Sequence, residues 1–169
     1  MVERHFVVSS KTIKYEGVFS ASGVYGVIQD WASDKGYFPI EADHTESVKP
    51  EGKFVDVLLY PTLKKLSDYA KGVFRIHIQM SGLNDIAIER DGRKVKLQEG
   101  KVVIRMQGFL ETDYEQRWET KPLLYVLRTL FEKYVYGPFI SGYESAIKED
   151  YAVLESRLKS YFNLEKFKR

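Results

Sequence analysis

The chain predicts an α+β domain, an antiparallel sheet followed by a long carboxy-terminal helix. Three features carry that expectation. In successive segments between residues 6 and 119, apolar and polar residues alternate, the two-residue period of a half-buried strand. Asp91-Gly92 and Glu99-Gly100 interrupt the alternation at hairpin spacing. From Gly142 the period changes: Ile147, Tyr151, Leu154, Leu158 and Phe162 recur three and four apart, with Lys148, Glu149, Asp150, Glu155 and Lys159 between them. That spacing gives an amphipathic helix with one buried stripe.

Taken in order, the first strand is expected over residues 6–19, where Phe6 and Val8, then Ile13, Tyr15, Gly17 and Phe19, hold alternate positions. Ser20 or Ser22 caps a helix over about 22–35, whose apolar members Val24, Val27, Ile28 and Trp31 share one side, and Gly36 stops it. Residues 37–49 predict a second strand, closed by the turn-forming Lys49-Pro50-Glu51-Gly52. Residues 54–66 predict a third, with apolar residues at consecutive positions, as in a strand covered on both faces. The clearest strand is 72–80, where Phe74, Ile76, Ile78 and Met80 alternate with Arg75, His77 and Gln79. Ser81-Gly82 is expected to end it. Strands over 85–90 and 94–98 follow, and a turn at Glu99-Gly100 leads into a long strand from Lys101 onward. After Pro122, Leu123, Leu127, Leu130 and Tyr134 repeat at helical spacing with Leu124 and Phe131 alongside. They predict an extra helix over 122–136 before Gly137-Pro138 breaks the pattern. The terminal helix runs over about 142–165.

A length of 169 residues with 44% hydrophobic side chains suits one core, so a single domain over 1–169 is expected. The 26 basic and 24 acidic residues leave a net +2, too small a field to draw the chain to nucleic acid, and no basic strand rich in aromatics stands out. The lack of cysteine excludes disulfides, thiolate zinc sites and a cysteine nucleophile. The opening MVERHFVV lacks the apolar run of a signal peptide, and no stretch approaches the roughly 20 apolar residues of a membrane span. The expected location is cytoplasmic. Aromatic content is the outlier: 12 Tyr, 10 Phe and 2 Trp make 14% of the chain. Such residues either fill a core or line an amphipathic pocket, and tyrosines favour margins where the hydroxyl finds a partner.

The segment FLETDYEQRWETKP, residues 109–122, gathers Glu111, Asp113, Glu115 and Glu119 around Tyr114, Arg117 and Trp118. A catalytic pair would need one carboxyl desolvated. If strand alternation persists, Val102, Ile104, Met106, Gly108, Leu110, Thr112, Tyr114, Gln116 and Trp118 share the apolar face and the acids fall on the other. The acids are then expected to be solvated and paired with lysines and arginines of neighbouring strands. His5, His44 and His77 stand far apart and show no metal-ligand spacing, and no P-loop, GxGxxG or GxSxG pattern occurs. Neither a metal nor a cofactor is expected. The tail NLEKFKR has Lys166, Lys168 and Arg169 against Glu165, which fits a solvated helix end complementing the helix dipole and allows at most transient membrane contact.

In element order the chain resembles the helix-grip superfamily, which includes START lipid-transfer domains, plant pollen-allergen and hormone-receptor proteins, and polyketide cyclases. The matching elements are the strand at 6–19, the helix at about 22–35, the antiparallel run and the helix at about 142–165; the extra helix at 122–136 departs from the pattern. The resemblance implies a curved sheet gripping the terminal helix, with a cavity between them for a hydrophobic or amphipathic, lipid-like small molecule. The side chains placed toward that cavity are Trp31, Phe74, Ile76, Ile78, Met106, Leu110, Tyr114, Trp118, Leu154, Leu158 and Phe162. Two other readings stay open: an enzyme of cyclase or dehydratase type using the same pocket, through Tyr114 or a pocket acid, and a protein-interaction module using the 122–136 helix.

Overall fold

In a computed structural model, residues 3–67, 69–90, 92–112, 130, 133–134 and 137–167 are described. They form five strands and two helices: β1 (Glu3–Phe19), α1 (Ala21–Lys35), β2 (Glu41–Lys49), β3 (Gly52–Lys65), β4 (Ala70–Arg90), β5 (Arg93–Thr112) and α2 (Gly137–Phe167). The strands make one antiparallel, curled sheet in the order β1-β5-β4-β3-β2. The α+β class expected from the sequence is thus the observed one, with the longer helix at the carboxy terminus packed on the sheet.

The inner face of the sheet is built in rows, because residues paired across antiparallel strands share a face. Ile13, Ile104, Ile78 and Val57 are in register across four strands; Met106, Ile76 and Leu59 form the next row. Every one of these is buried. Onto this floor α2 lays the stripe read from the sequence, Ile147, Tyr151, Leu154, Leu158 and Phe162, all buried in one cluster with the sheet residues. Burying each large apolar side chain contributes about 1.5–3 kcal/mol against the entropy of ordering it. Ile147 lies against the sheet backbone: a β-carbon added at Gly108 would stand 3.2 Å from its Cγ2, and one at Gly72 would stand 3.4 Å from its Cγ1. These two glycines set how closely the helix approaches.

The first helix keeps its sequence signals. The Ser20 side chain accepts a hydrogen bond from the Gly23 amide at 3.1 Å, and Gly36, at φ 75, ends the helix in the left-handed conformation. Directly after it, Tyr37 turns inward to stack on Trp31 with ring centroids 4.9 Å apart. That inward turn is why β2 begins at Glu41 and not at residue 37. Gly23 is where the two helices meet, since a β-carbon there would strike the Tyr161 hydroxyl. That hydroxyl accepts from the Ser20 amide and donates to the Ser20 carbonyl, both at 3.1 Å.

Three sequence expectations are corrected. Ser81-Gly82 and Glu99-Gly100 do not end strands; β4 and β5 run through them. Their glycines serve a bend: Gly82 has φ 61 at a bulge between Ser81 and Asn84, while a β-carbon at Gly100 would stand 2.9 Å from both the Leu83 side chain and the Ser81 carbonyl oxygen. Gly52 approaches the Gly82 backbone just as closely, and Gly17 pairs with Gly100. A row of glycines therefore crosses β3, β4, β5 and β1 where the sheet curls. The true hairpin turn is the one closed by the pairing of Arg90 with Arg93, where Gly92 has φ 72. Finally, α2 begins at Gly137 and not near 142, with Pro138 in its first turn, where a proline lacks only an amide that had no partner there. Most of the expected 122–136 helix lies outside the described residues; within it Leu130, Lys133 and Tyr134 have helical backbone and are exposed.

Candidate ligand-binding cleft

Nine of the residues placed by sequence toward a cavity come together. Trp31 of α1, Phe74, Ile76 and Ile78 of β4, Met106 and Leu110 of β5, and Leu154, Leu158 and Phe162 of α2 belong to one buried cluster. Tyr114 and Trp118 lie outside the described residues. Packing among the nine is close: Phe74 meets Trp31 edge-on at 5.1 Å and stacks on Tyr151 at 6.3 Å. Polar atoms in this layer are tied down. The Trp31 Nε1–H donates to the Asp150 carbonyl at 2.9 Å, the Tyr37 hydroxyl donates to Asp150 Oδ2 at 3.0 Å, and Lys35 holds Asp150 Oδ1 at 3.1 Å. Burial and the neighbouring Asp150 push the Tyr37 hydroxyl far above the ordinary phenol range.

The open space bordered by this sheet face lies to one side of that cluster, between the start of α1 and the β2–β4 wing. It is a cleft of about 270 Å³ lined by Ala21, Ser22 and Tyr25 of α1, His44 and Glu46 of β2, Lys53 and Val55 of β3, Met80, Leu83 and Asp85 of β4, and Gln98 of β5. Its origin is a change of residue type along one face. His44 pairs with Val57 and Glu46 with Val55, so β2 offers a histidine and a glutamate where β3 offers valines. No apolar side chain from β2 reaches in to close the layer, and the floor of Val55, Met80 and Leu83 meets a charged wall.

His44 Nδ1 faces Glu41 Oε1 at 3.0 Å and Nε2 faces Glu46 Oε1 at 3.1 Å. Two carboxylates on two ring nitrogens are satisfied together only by the imidazolium. The bond from Glu46 and the contact with Glu41 outweigh desolvation and raise the His44 pKa. Lys53 and His44 in turn hold Glu46 below the usual carboxylate range. Gln98 bridges the far side, accepting from the Ala21 amide at 3.0 Å and donating to Asp85 at 3.2 Å. Tyr25 is the exception: among the described residues its buried hydroxyl oxygen has no hydrogen-bond partner. Burial, with Glu41 and Glu46 nearby, pushes its pKa up to about 12, so at neutral pH it is a protonated donor.

Of the cleft residues, sequence analysis singled out none as a ligand contact; His44 entered only as a histidine without metal spacing. The available signal was the pair His44 and Glu46, two apart on one strand, but which face they share follows only from the β2–β3 register. Glu111 also differs from expectation. It does pair with cations of the neighbouring strands, Arg4 of β1 and Lys71 of β4, yet it is 5% exposed and not solvated. Among the described residues no three His, Asp or Glu side chains are grouped to hold a metal, and no helix is long and apolar enough to cross a membrane.

No protein-family model matches this chain, and no curated protein matches it. Its class is therefore defined by architecture: an α+β fold whose five-stranded antiparallel sheet and carboxy-terminal helix are compatible with helix-grip topology.

Proposed function

We propose that this protein is a helix-grip binding module for a small amphipathic molecule, held in the cleft between α1 and the β2–β4 wing. The observation that carries the reading is the junction of an apolar floor with a charged wall around one unsatisfied buried donor, the Tyr25 hydroxyl. Such a site binds an apolar body on Val55, Met80 and Leu83 while a polar head takes a hydrogen bond from Tyr25. The size decides between ligand types. At about 270 Å³ the cleft falls at the lower edge of the roughly 300–1,000 Å³ usual for ligand pockets. A single ring or short chain with a polar head fits; a two-chain lipid does not. His44 and Lys53 balance Glu46 and Asp85, which favours a neutral or zwitterionic head over a strongly charged one.

Native mass spectrometry of the purified protein, followed by extraction, tests the proposal, with ligand-observed NMR against short fatty acids, alcohols and aromatic amides as a second arm. Ser22 is exposed at the mouth, so Ser22→Trp blocks the cleft without disturbing the core. Tyr25→Phe removes the donor and is expected to weaken binding about tenfold. Retained or titrated ligand that disappears in Ser22→Trp supports the reading. Binding indifferent to both substitutions, or none at all, overturns it. Turnover of a captured ligand would make the module an enzyme of the cyclase or dehydratase type.

A further inference from the structure

The opposite face of the sheet carries a second concavity, unrelated to the cleft. It measures about 180 Å³ and is lined by Ser10 of β1, Arg75 and His77 of β4, and Arg105 and Gln107 of β5. Ser10, Arg75, Arg105 and Gln107 can donate hydrogen bonds into it, and no carboxylate lines it. Arg75 pairs with Gln107 and His77 with Arg105, which sets the two arginines on diagonal positions, neighbours about 7–8 Å apart and within reach of each other's long side chains. Like charges so placed repel unless an acid balances them.

The acid that meets its His77 wall is already engaged. Asp56 on β3 accepts from His77 Nε2 at 2.7 Å through one oxygen and from Gln79 Nε2 at 2.8 Å through the other. Desolvation works against its ionisation, but those two bonds and the nearby His77 and Arg105 charges win and hold it below the ordinary aspartate range. Among the described residues Arg105 hydrogen-bonds only to the Gln79 side-chain oxygen. Arg75 has no hydrogen bond or ion pair among the described residues. The Asp56–Gln79–Arg105 chain thus fixes one arginine in place while leaving the concavity itself positive. A bulge in β1 between Val8 and Lys11 completes it, because the extra residue there re-aims the strand and leaves Ser10 at the rim beside Gln107.

We infer that this outer-face concavity binds a tetrahedral oxyanion of the phosphate class, with Arg75 and Arg105 gripping it from adjacent strands and Gln107 and Ser10 completing its hydrogen bonds. Guanidinium forks match phosphate oxygens in pairs, and two arginines across one strand pair supply the charge that a lone surface arginine lacks. The phosphate is either free in solution, alone or on a small soluble ester, or the headgroup of a lipid at a bilayer surface.

The test is an NMR titration of the full chain with inorganic phosphate, reading the arginine side-chain Nε–H signals. Saturating shifts are expected at Arg75 and Arg105. The exposed substitutions Arg75→Gln and Arg105→Gln should each weaken binding about tenfold, and the double variant should abolish it. Arg157→Gln, which removes a cation paired with Asp34 far from the site, should change nothing. Ser10→Ala, a smaller change on the same rim, is expected to weaken binding less and guards against a folding effect in the arginine variants. Vesicles of phosphatidylcholine with and without phosphatidic acid separate the sources. Arginine-dependent co-sedimentation with the acidic vesicles identifies a lipid headgroup, and its absence alongside phosphate binding identifies a soluble phosphate. Shifts spread over lysines and arginines without saturation, or binding that survives in the double variant, overturn the inference.

Discussion

The contact between Tyr37 and Asp150 joins the end of α1 to the middle of α2, and it can be weighed by a double-mutant cycle. Tyr37→Phe keeps the ring, and with it the stack on Trp31 and the edge contact with Phe74 at 5.1 Å; only the hydroxyl is lost. Its hydrogen bond to Asp150 Oδ2 joins a neutral donor to a charged acceptor, a type worth about 1.5–3 kcal/mol. Asp150 retains Lys35 at 3.1 Å, so the carboxylate is not abandoned and the lower half of that range, about 1.5–2 kcal/mol, is expected. Asp150→Ala loses both the tyrosine and the lysine, and about 2–4 kcal/mol is expected because the site is only 4% exposed. The double variant should then recover about 1–2 kcal/mol relative to the sum of the singles. Urea unfolding of the four proteins, followed by circular dichroism and Trp31 fluorescence, measures each term. Additivity within about 0.5 kcal/mol would show that the bond does not couple the helices and would refute the reasoning.

Three further outcomes follow from the packing and the charges. Gly108→Val forces a side chain against Ile147 and Phe74, 3.2 and 3.5 Å from the added β-carbon. It should cost about 1–3 kcal/mol, a fall of roughly 2–12 °C in Tm for a chain of this size, with partial rescue by Ile147→Ala in differential scanning calorimetry. Glu111→Ala removes the shared partner of Arg4 and Lys71, but both cations keep access to water at 45% and 23% side-chain exposure. The loss in urea unfolding should therefore be about 1–3 kcal/mol, and not the larger cost of a stranded buried charge. Tyr25 and Tyr151 are raised to about 12 by burial, with Glu41 and Glu46 adding at Tyr25 and Glu155 at Tyr151. A raised folded pKa stabilises fully below the unfolded value near 10, so that contribution should be lost as pH rises from 10 through 12. Alkaline unfolding followed by tyrosinate absorbance checks this, and Tyr151→Phe should flatten the dependence.

Periodicity made much of this fold legible. The stripe Ile147, Tyr151, Leu154, Leu158, Phe162 is the buried face of α2, and the even-numbered residues of β4 and β5 from Phe74 to Met80 and from Val102 to Met106 are the floor beneath it. Local chemistry at Ser20, Gly36 and Gly92 also meant what its residue types suggest. What periodicity confuses is a glycine that turns the chain and a glycine that lets a sheet bend. Gly82 and Gly100 carry the same local signal as Gly92. Their difference lies in neighbours from other strands: Gly100 faces Leu83 and the Ser81 carbonyl, contacts that exist only after β4 and β5 have paired. The burial of Glu111 was hidden for the same reason. Alternation puts it on the outer face, and only the arrival of Arg4 and Lys71 from two other strands makes that position dry and paired.

The cleft was the least legible part because it arises from what β2 fails to supply. Read alone, EADHTESVK is a charged edge strand, and inward-pointing charge on an edge guards against pairing with other chains. The register turns that property into a cavity wall, since His44 and Glu46 stand opposite Val57 and Val55 on the apolar side of the sheet. Apolar residues at those two positions would extend the core to the sheet edge and close the space beneath Tyr25. The edge charges therefore do two jobs: they protect the strand and they keep the floor of Val55, Met80 and Leu83 uncovered. The reading gives an asymmetric result to look for. His44→Leu with Glu46→Leu should raise stability or leave it unchanged while filling the cleft, with ligand binding lost. If the double variant binds as before, the wall is decorative, and the ligand must sit elsewhere.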